Sequence, residues 1–479
     1  MAEKEFFFIL RYDEWAFATA IEIMATHLSQ GVEVKCFDWT QQFQIRYEFP
    51  VAERIYNRST RKRIRKSKLS EFLDSLGKPG CFQYNTSANL FQQLEIENLA
   101  DEVAYLELVS VLRESAPIKA HHTKILSDYR ETFKLAYIAA HSALLSERPK
   151  TVYIYNGRFL QERAVWEACK SLSIPVIFYE KFNPTWLDKY FLFSQPTHSP
   201  VFRSEVMNEF GNRMLSSQPT EFVSLGMKWF SDRSLGKTQK YTKLQKHGLN
   251  LKVNRPYFIF FHSSEDELIT TDLISEYWGS QHTALALLVD TMTTIGEYDL
   301  VIRMHPNLLY KSRKEIRFWN EIGTDLLVSK PWIHYIPPES KISSYALIER
   351  AVGVITVGST IGVEAAFMNK MSILLGRAFH EHMNITQNPA NLEELAHMIG
   401  NPLSRAEIES SRLNSLKYAA FHSKGGISFK FVRFQRDSRR NRYIIGSFTI
   451  RRSLLVSIVM RIESASTRFK ILIHSFLQQ

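Results

Sequence analysis

Three short polar clusters in the second half of the chain carry the residue types that handle phosphate esters. They are His262, Ser263, Ser264, Glu265 and Asp266; His305, Pro306 and Asn307; and Gly358, Ser359, Thr360, Ile361 and Gly362. Each directly follows a short apolar run, ending at Phe261, Met304 or Val357, so each is expected at the carboxyl end of a strand. Open α/β sheets bind their ligands there. The Gly358 to Gly362 turn places Ser359 and Thr360 at a helix start, where backbone N–H groups and the positive dipole end favour a phosphate. A serine or threonine in that position also fits a plain N-cap, so the company of the other two clusters matters. Pro306 stops the second strand and holds the His305 imidazole at its tip, able to donate to a phosphate or a leaving group. Glu364 follows on the third cluster's helix among Val363, Ala365, Ala366 and Phe367; it is either a solvated face residue or an acceptor for sugar hydroxyls.

Carboxylates able to serve as a base stand after strands of the first half: Asp13 or Glu14 after the first, and Glu180 after a later one. Asp13 and Glu180 are the favoured pair. Glu265 and Asp266 are a second-half alternative, although acidic pairs at a helix start also complement its dipole. His380 and His382 flank Glu381, but no third ligand stands at a defined place, so no metal site is expected. Cys36, Cys81 and Cys169 are far apart and in no paired spacing, so neither a disulfide framework nor a zinc site is implied, and a reducing cytoplasm fits.

The elements that must position these residues alternate. Phe6 to Leu10, Trp15 to Ser29 and Val32 to Phe37 read as strand, helix and strand, with Gly31 at a left-handed cap. Residues 40–135 are expected to hold helices near Leu69 to Leu76 and Leu99 to Leu112. Thr151 to Tyr155, Gln161 to Leu172 and Pro175 to Glu180 repeat the crossover unit. Ser231 to Asn254 has the polar, lysine-rich composition of a connection. Beyond it come strands at Tyr257 to Phe261, Leu300 to Met304, Gly353 to Val357 and Ser372 to Leu375. Helices are expected between them at Gln281 to Ile295, Ile342 to Ala351 and Thr360 to Met368. Two doubly wound α/β domains follow, over 1–235 and 255–429, joined by 236–254 and trailed by a basic tail at 430–479.

A chain of 479 residues is too long for a single small binding module, and its 45% apolar and 23% charged content fits buried cores. The net charge of +11 is local. Arg54 to Lys68 holds eight basic and no acidic residues, and Lys430 to Gln479 holds eleven basic residues against Asp437 and Glu463, so the remainder is mildly acidic. No recognition motif accompanies either patch, and nucleic acid is not an expected partner. In the tail, Ile444, Ile445, Phe448, Ile450, Leu454, Leu455, Ile458 and Val459 interleave with arginines, which fits an interfacial amphipathic helix on anionic lipid or a solvated extension. No secretory signal and no spanning helix are expected, the best candidate, Tyr443 to Ile462, being broken by Arg451, Arg452 and Arg461.

The succession FHSSEDEL (Phe261 to Leu268), Gln281, IRMHPNL (Ile302 to Leu308), SYALI (Ser344 to Ile348) and VGSTIGVEAA (Val357 to Ala366) resembles bacterial capsule and surface polysaccharide biosynthesis glycosyltransferases. YNGR (Tyr155 to Arg158) and Tyr179 with Glu180 resemble the family's first-domain strand ends. The resemblance covers about 150–385 and implies a GT-B fold, two Rossmann-like domains facing across a cleft. It implies that the second domain binds a nucleotide sugar through His262, Ser263, Ser264, Glu265, Arg303, His305, Pro306, Tyr345, Gly358, Ser359, Thr360, Gly362 and Glu364. The first domain, with Asn156 and Arg158, would take an oligosaccharide or lipid-linked acceptor, with Asp13, Glu180 and His305 catalytic. Two positions depart from the family pattern: Asn369, Lys370, Met371 stand where Gly-Lys-Pro is usual, and His380 where a tyrosine is usual. No Asp-x-Asp occurs, so the expected transfer is metal-independent and needs no cofactor, in the cytoplasm or peripheral on the plasma membrane. A glycerophosphotransferase, a nucleotide-sugar epimerase or a non-catalytic binding subunit of a polysaccharide assembly complex are the alternatives.

Overall fold

The computed structural model describes residues 4–10, 14–39, 69–76, 82–83, 96–117, 119–181, 186–196, 198–237, 245, 251–311, 313–437, 440–446 and 448–450. Asp13, Cys81, the Arg54 to Lys68 run and residues 451–479 lie outside them. The chain divides into two compact units, one of Met1–Leu112, Ala116–Thr197 and Gly426–Gln479, the other of Arg113–Ser115 and His198–Gly425.

In the first unit β1 (Lys4–Ile9), α1 (Glu14–Ser29) and β2 (Glu33–Asp38) form the expected crossover, with Gly31 at φ +80° closing the helix. Then come α2 (Leu69–Leu76), β3 (Phe82–Gln83), α3 (Glu97–Leu112) and the long α4 (Thr123–Glu147). The second crossover is β4 (Thr151–Tyr155), α5 (Leu160–Ser171) and β5 (Val176–Glu180), followed by β6 (Lys189–Phe193). The strands order as β6-β5-β4-β1-β2-β3, parallel except for β6 against β5. Phe6, Phe7 and Phe8 are all buried because helices and loops cover both faces, which is why the first strand reads as a continuous apolar run.

The second unit begins with two helices, α6 (Pro200–Ser217) and α7 (Pro219–Ser234). Its sheet holds β7 (Tyr257–Phe261), β8 (Asp299–Arg303), β9 (Ile333–Ile336), β10 (Gly353–Thr356) and β11 (Met371–Leu374), all parallel, in the order β11-β10-β7-β8-β9. Between and after them lie α8 (Glu265–Thr270), α9 (Gln281–Ile295), α10 (Arg313–Ser329), α11 (Ser344–Arg350), α12 (Ile361–Phe367), α13 (Leu392–Gly400) and α14 (Arg405–Lys424). Strand alternation divides the core in two. Phe258 and Phe260 join Leu285 and Leu288 of α9 and Trp319 of α10, whereas Ile259 and Phe261 join Leu347 and Ile348 of α11. Both faces of the sheet are thus covered by helices, the doubly wound arrangement the sequence implied.

The unit boundary differs from the sequence expectation, which ran the first domain to 235. Helices α6 and α7 pack on α14 instead, and two glycines allow the close approach: a Cβ on Gly211 would stand 2.4 Å from the Lys417 Cβ, and one on Gly226 would stand 2.5 Å from the Leu416 Cδ2. Glycine spacing within an otherwise ordinary amphipathic pattern does not say which partner it fits.

The tail is the larger difference. After α14 the chain returns to the first unit, where β12 (Ile427–Ser428) adds to the edge of its sheet, antiparallel to β6. The Glu22 carboxylate then accepts the backbone N–H groups of Lys430, Phe431 and Val432 at 2.6, 2.8 and 2.7 Å. Three short strands follow, β13 (Arg433–Asp437), β14 (Arg440–Ile445) and β15 (Phe448–Ile450), in one antiparallel sheet. Tyr443, Ile445, Phe448 and Ile450 are buried in the same core as Phe17, Ile21 and Met24 of α1. The apolar residues up to Ile450 therefore serve a sheet with period two and not a lipid-facing helix, and this stretch is no extension. No helix among the described residues is long and apolar enough to cross a membrane.

Candidate functional site

Because β10, β7 and β8 are neighbours in the second sheet, their carboxyl ends bring the three polar clusters together. One pocket there is lined by His262, Arg303, His305, Pro306, Tyr345, Ser359, Thr360 and Glu364, together with Arg233, Gln245 and Ser344. Phe261, Met304 and Ile361 add apolar surface to it.

The β7 turn is fixed by Gln281, the first residue of α9. Its fully buried side chain accepts the Ser263 N–H at 2.6 Å and donates to the Ser263 carbonyl at 3.0 Å. The Gln281 backbone N–H in turn donates to Glu265 Oε1 at 2.7 Å. Glu265, expected to contact a donor substrate, is thus spent on capping a helix, and it does not line the pocket. Burial raises its pKa, opposed by that bond. Asp266 is buried and ion-paired with Lys311 and, at 3.4 Å, with Arg113, so it too serves the scaffold.

His262 is buried, its ring edge-on to the Trp319 indole at 4.6 Å. Burial, with His305 and Lys311 nearby, holds its pKa well below the usual imidazole range, so it is neutral. Its two ring nitrogens, Ser263 Oγ and Arg303 Nε are buried with no hydrogen-bond partner among the described residues. Buried polar groups left so are costly unless something else meets them, and His262 and Arg303 both line the pocket, which suits a polar ligand there.

Arg303 ends β8 and is itself buried, donating to the carbonyls of Pro337 at 2.6 Å and Ser340 at 2.9 Å. Burial lowers its pKa to about 10, Glu339 opposing, so the guanidinium stays charged at neutral pH. His305 Nδ1 accepts the Asn307 N–H at 3.0 Å, which puts the imidazole proton on Nε2. Burial, then Lys311 and Arg303, pushes its pKa down to about 4.

At the β10 turn, a Cβ on Gly358 would meet Leu268 Cδ2 at 2.7 Å and the Arg377 carbonyl at 3.0 Å, and one on Gly362 would meet Ser372 Oγ at 2.9 Å. Both glycines therefore serve close packing. Ser359 Oγ accepts the Ile361 N–H at 3.3 Å. The helix after it, α12, has only seven residues, so its dipole adds little and Arg303 is the stronger attraction for an anion. Glu364 is buried, and both of its oxygens are engaged, one by Arg233 and the other by the Tyr345 hydroxyl. Burial and Glu364 push the Tyr345 pKa up. Sequence reasoning missed Arg233, which it placed at the end of the other domain, and Gln245, which donates no motif but whose Oε1 accepts the Ser344 N–H at 2.8 Å.

In the first unit Asn156 Nδ2 donates to Glu180 Oε2, joining the ends of β4 and β5, and the Lys181 N–H holds Glu180 Oε1 at 2.8 Å. The turn is tight: Asn156 and Gly157 lie at φ +55° and +86°, and a Cβ on Gly157 would stand 2.4 Å from the Phe178 ring. Arg158 donates its backbone N–H to Asn156 Oδ1 at 3.3 Å. Among the described residues no group of three or more His, Cys, Asp or Glu could hold a metal ion.

Two further histidines bear on pH. Burial drives His380 to a pKa of about 4 and, with Arg233, Arg203 and His380 adding to it, His422 to about 3. A histidine whose folded pKa lies below its unfolded value of about 6.5 contributes stability that is complete above that value and lost as the pH falls through it. The second unit is expected to melt progressively earlier between pH 6.5 and 4, each of these residues accounting for on the order of 3 kcal/mol. Calorimetric melting of the double variant His380→Gln, His422→Gln should show a flatter pH dependence; a slope unchanged from the parent would contradict it.

The fold and the strand-end pocket define an α/β protein with a polar binding site in its second unit. Residues 224–410 match the family described as capsule polysaccharide biosynthesis protein, the kind of protein that the motifs of this stretch resemble. No curated protein matches the chain. Among solved structures it is similar to the Thermosulfurimonas dismutans KpsC beta Kdo 2,4 transferase, at 12% identity over 66% of this chain and 88% of that one, TM-score 0.37. The beta Kdo 2,7 transferase of the same protein gives 13%, 68% and 88%, TM-score 0.35. A Methanocaldococcus jannaschii UDP-GlcNAc 2-epimerase in complex with UDP-GlcNAc and UDP gives 13%, 87% and 99%, TM-score 0.27.

Proposed function

We propose that the chain is a glycosyltransferase of surface or capsular polysaccharide synthesis, moving a sugar from a nucleotide-activated donor whose phosphate sits at the carboxyl ends of β7, β8 and β10. The observation that carries this reading is the polarity of the hydrogen bonds around the pocket. A protein N–H already occupies an acceptor position on His305 Nδ1 and on the hydroxyl oxygens of Ser359, Ser264 and Thr360. The last two receive Asn307 Nδ2 at 3.1 Å and Arg233 Nη2 at 3.1 Å. The His305 imidazole is thereby a donor through Nε2, and the hydroxyls of Ser359 and Thr360, which line the pocket, each keep a proton to give; such donors beside the Arg303 charge match a ligand made of acceptors, as a phosphate is. The match to the capsule family over this same unit supports the choice of reaction.

In that reaction the leaving phosphate gains charge as the glycosyl bond breaks. His305 Nε2, the hydroxyls and Arg303 would stabilise it without a cation. The acceptor, a growing oligosaccharide or lipid-linked chain, would belong to the first unit, with Glu180 taking the proton from its hydroxyl and Asn156 holding that carboxylate in place. Asp13 is the alternative base. Residues 451–479, with their arginines, would meet anionic lipid.

Melting the protein with CMP-, UDP-, GDP- and CDP-sugars identifies the donor. The right one, at about one hundred times its Kd, adds roughly 2.7 kcal/mol, a shift of several degrees. Nucleotide release that requires an acceptor then separates transfer from epimerisation, which needs none, and from a binding subunit, which releases nothing. No shift with any of the four would refute the donor site.

A further inference from the structure

Arg233 closes the last turn of α7 and belongs to none of the strand-end clusters, yet its guanidinium lines the pocket. It lies over the Trp229 indole at 4.4 Å, four residues earlier on the same helix. Its Nε and Nη2 donate to Glu364 Oε1 at 2.9 and 2.6 Å, and Nη2 also reaches Thr360 Oγ1 at 3.1 Å. Glu364 is almost completely buried, with its side chain 3% exposed, and it faces the same pocket as Arg303.

A buried carboxylate beside an anion site is a contradiction unless its charge is cancelled. We propose that Arg233 is a positioning residue of the phosphate site: it cancels the charge of Glu364 and, by donating to Thr360 Oγ1, orients that hydroxyl so that its own proton is left for the ligand. Glu364 in return holds the guanidinium in the orientation that reaches Thr360, with the Tyr345 hydroxyl on its other oxygen. Arg233 therefore acts on the ligand through two other residues. This rests on the pocket being a phosphate site, and it adds a requirement that the phosphate reading alone does not contain: removing Arg233 should hurt an anion through the carboxylate it exposes.

The test compares Arg233→Gln, Glu364→Gln and the double variant in the full chain, with inorganic pyrophosphate, UDP and CMP as probes in titration calorimetry and with ligand-free melting as a second measurement. Arg233→Gln should weaken the phosphate-bearing probes about tenfold or more, and the double variant should recover to within about threefold of Glu364→Gln, because the repelling charge is gone. Arg233→Lys, which keeps the charge without the fork, should fall between. A merely structural Arg233 would lower the melting point without this suppression. Equal weakening in the single and double variants, or none in Arg233→Gln, overturns the proposal. If the parent protein binds none of the three probes, the phosphate reading falls and takes the Thr360 role with it. The charge pairing is then decided by melting: Arg233→Gln below the double variant supports it, and the reverse order refutes it.

Discussion

A chain ended after Lys424 is expected to lose the folded state of its first unit, whereas one ended after Ile450 should keep it. The shorter chain lacks β12 at the sheet edge and the buried side chains of Val432, Tyr443, Ile445, Phe448 and Ile450. At about 1.5–3 kcal/mol for each large apolar side chain withdrawn from water, the loss is of the order of a whole domain's stability, even after allowance for a compact unfolded chain. It also strips α1 of its cover, exposing Phe17, Ile21 and Met24 to solvent. Hydrogen exchange of residues 4–39 reads this directly: protection should vanish in the shorter chain and persist in the longer one. The longer chain is also the proper test of the lipid role of residues 451–479, since it keeps the sheet; it should bind anionic vesicles less than the full chain does. Protection of β1 and α1 in the chain ended after Lys424 would show that the returning segment is dispensable.

His305→Ala and Ser359→Ala should each lower turnover and nucleotide affinity together. His305 loses an Nε2 donor whose tautomer the Asn307 N–H sets, and the loss is expected in the range of 10²–10³ in kcat/KM if that donor meets charge developing in the transition state. Ser359 sits at the tip of a turn with backbone donors of its own, so its removal should cost less, about tenfold. His305 titrates near 4, which means that the rate should not follow a histidine ionisation at pH 6–7. Unaltered affinity in both variants would place the phosphate elsewhere, and a rate that tracks protonation with a midpoint near 6.5 would contradict the lowered His305 pKa.

Much of the second unit was legible because its strands are buried on both faces and announce themselves as short apolar runs. The helix at Gln281–Ile295 coincides with its periodicity, bounded by Ser280 and by Gly296 at φ +71°. The strand-end clusters were legible for the same reason: polar residues directly after such a run have one place to go. Glu265 was misread because a carboxylate that caps another helix looks, in sequence, like one that meets a ligand. Arg233 was hidden by a boundary, since the packing of α7 on α14 depends on glycines whose partners lie nearly two hundred residues away. The tail misled through composition: arginines interleaved with isoleucines suit an interfacial helix, yet Tyr443, Ile445, Phe448 and Ile450 alternate with period two and bury against α1. That second period was present in the sequence and was outweighed by the charge.

The most direct measurement is a crystal structure of the protein soaked with the nucleotide sugar that raises its melting point. A phosphate oxygen within hydrogen-bond reach of His305 Nε2 and of the Ser359 or Thr360 hydroxyl is the predicted result. Density for that phosphate at the strand ends of the first unit, beside Asn156 and Glu180, would contradict the assignment.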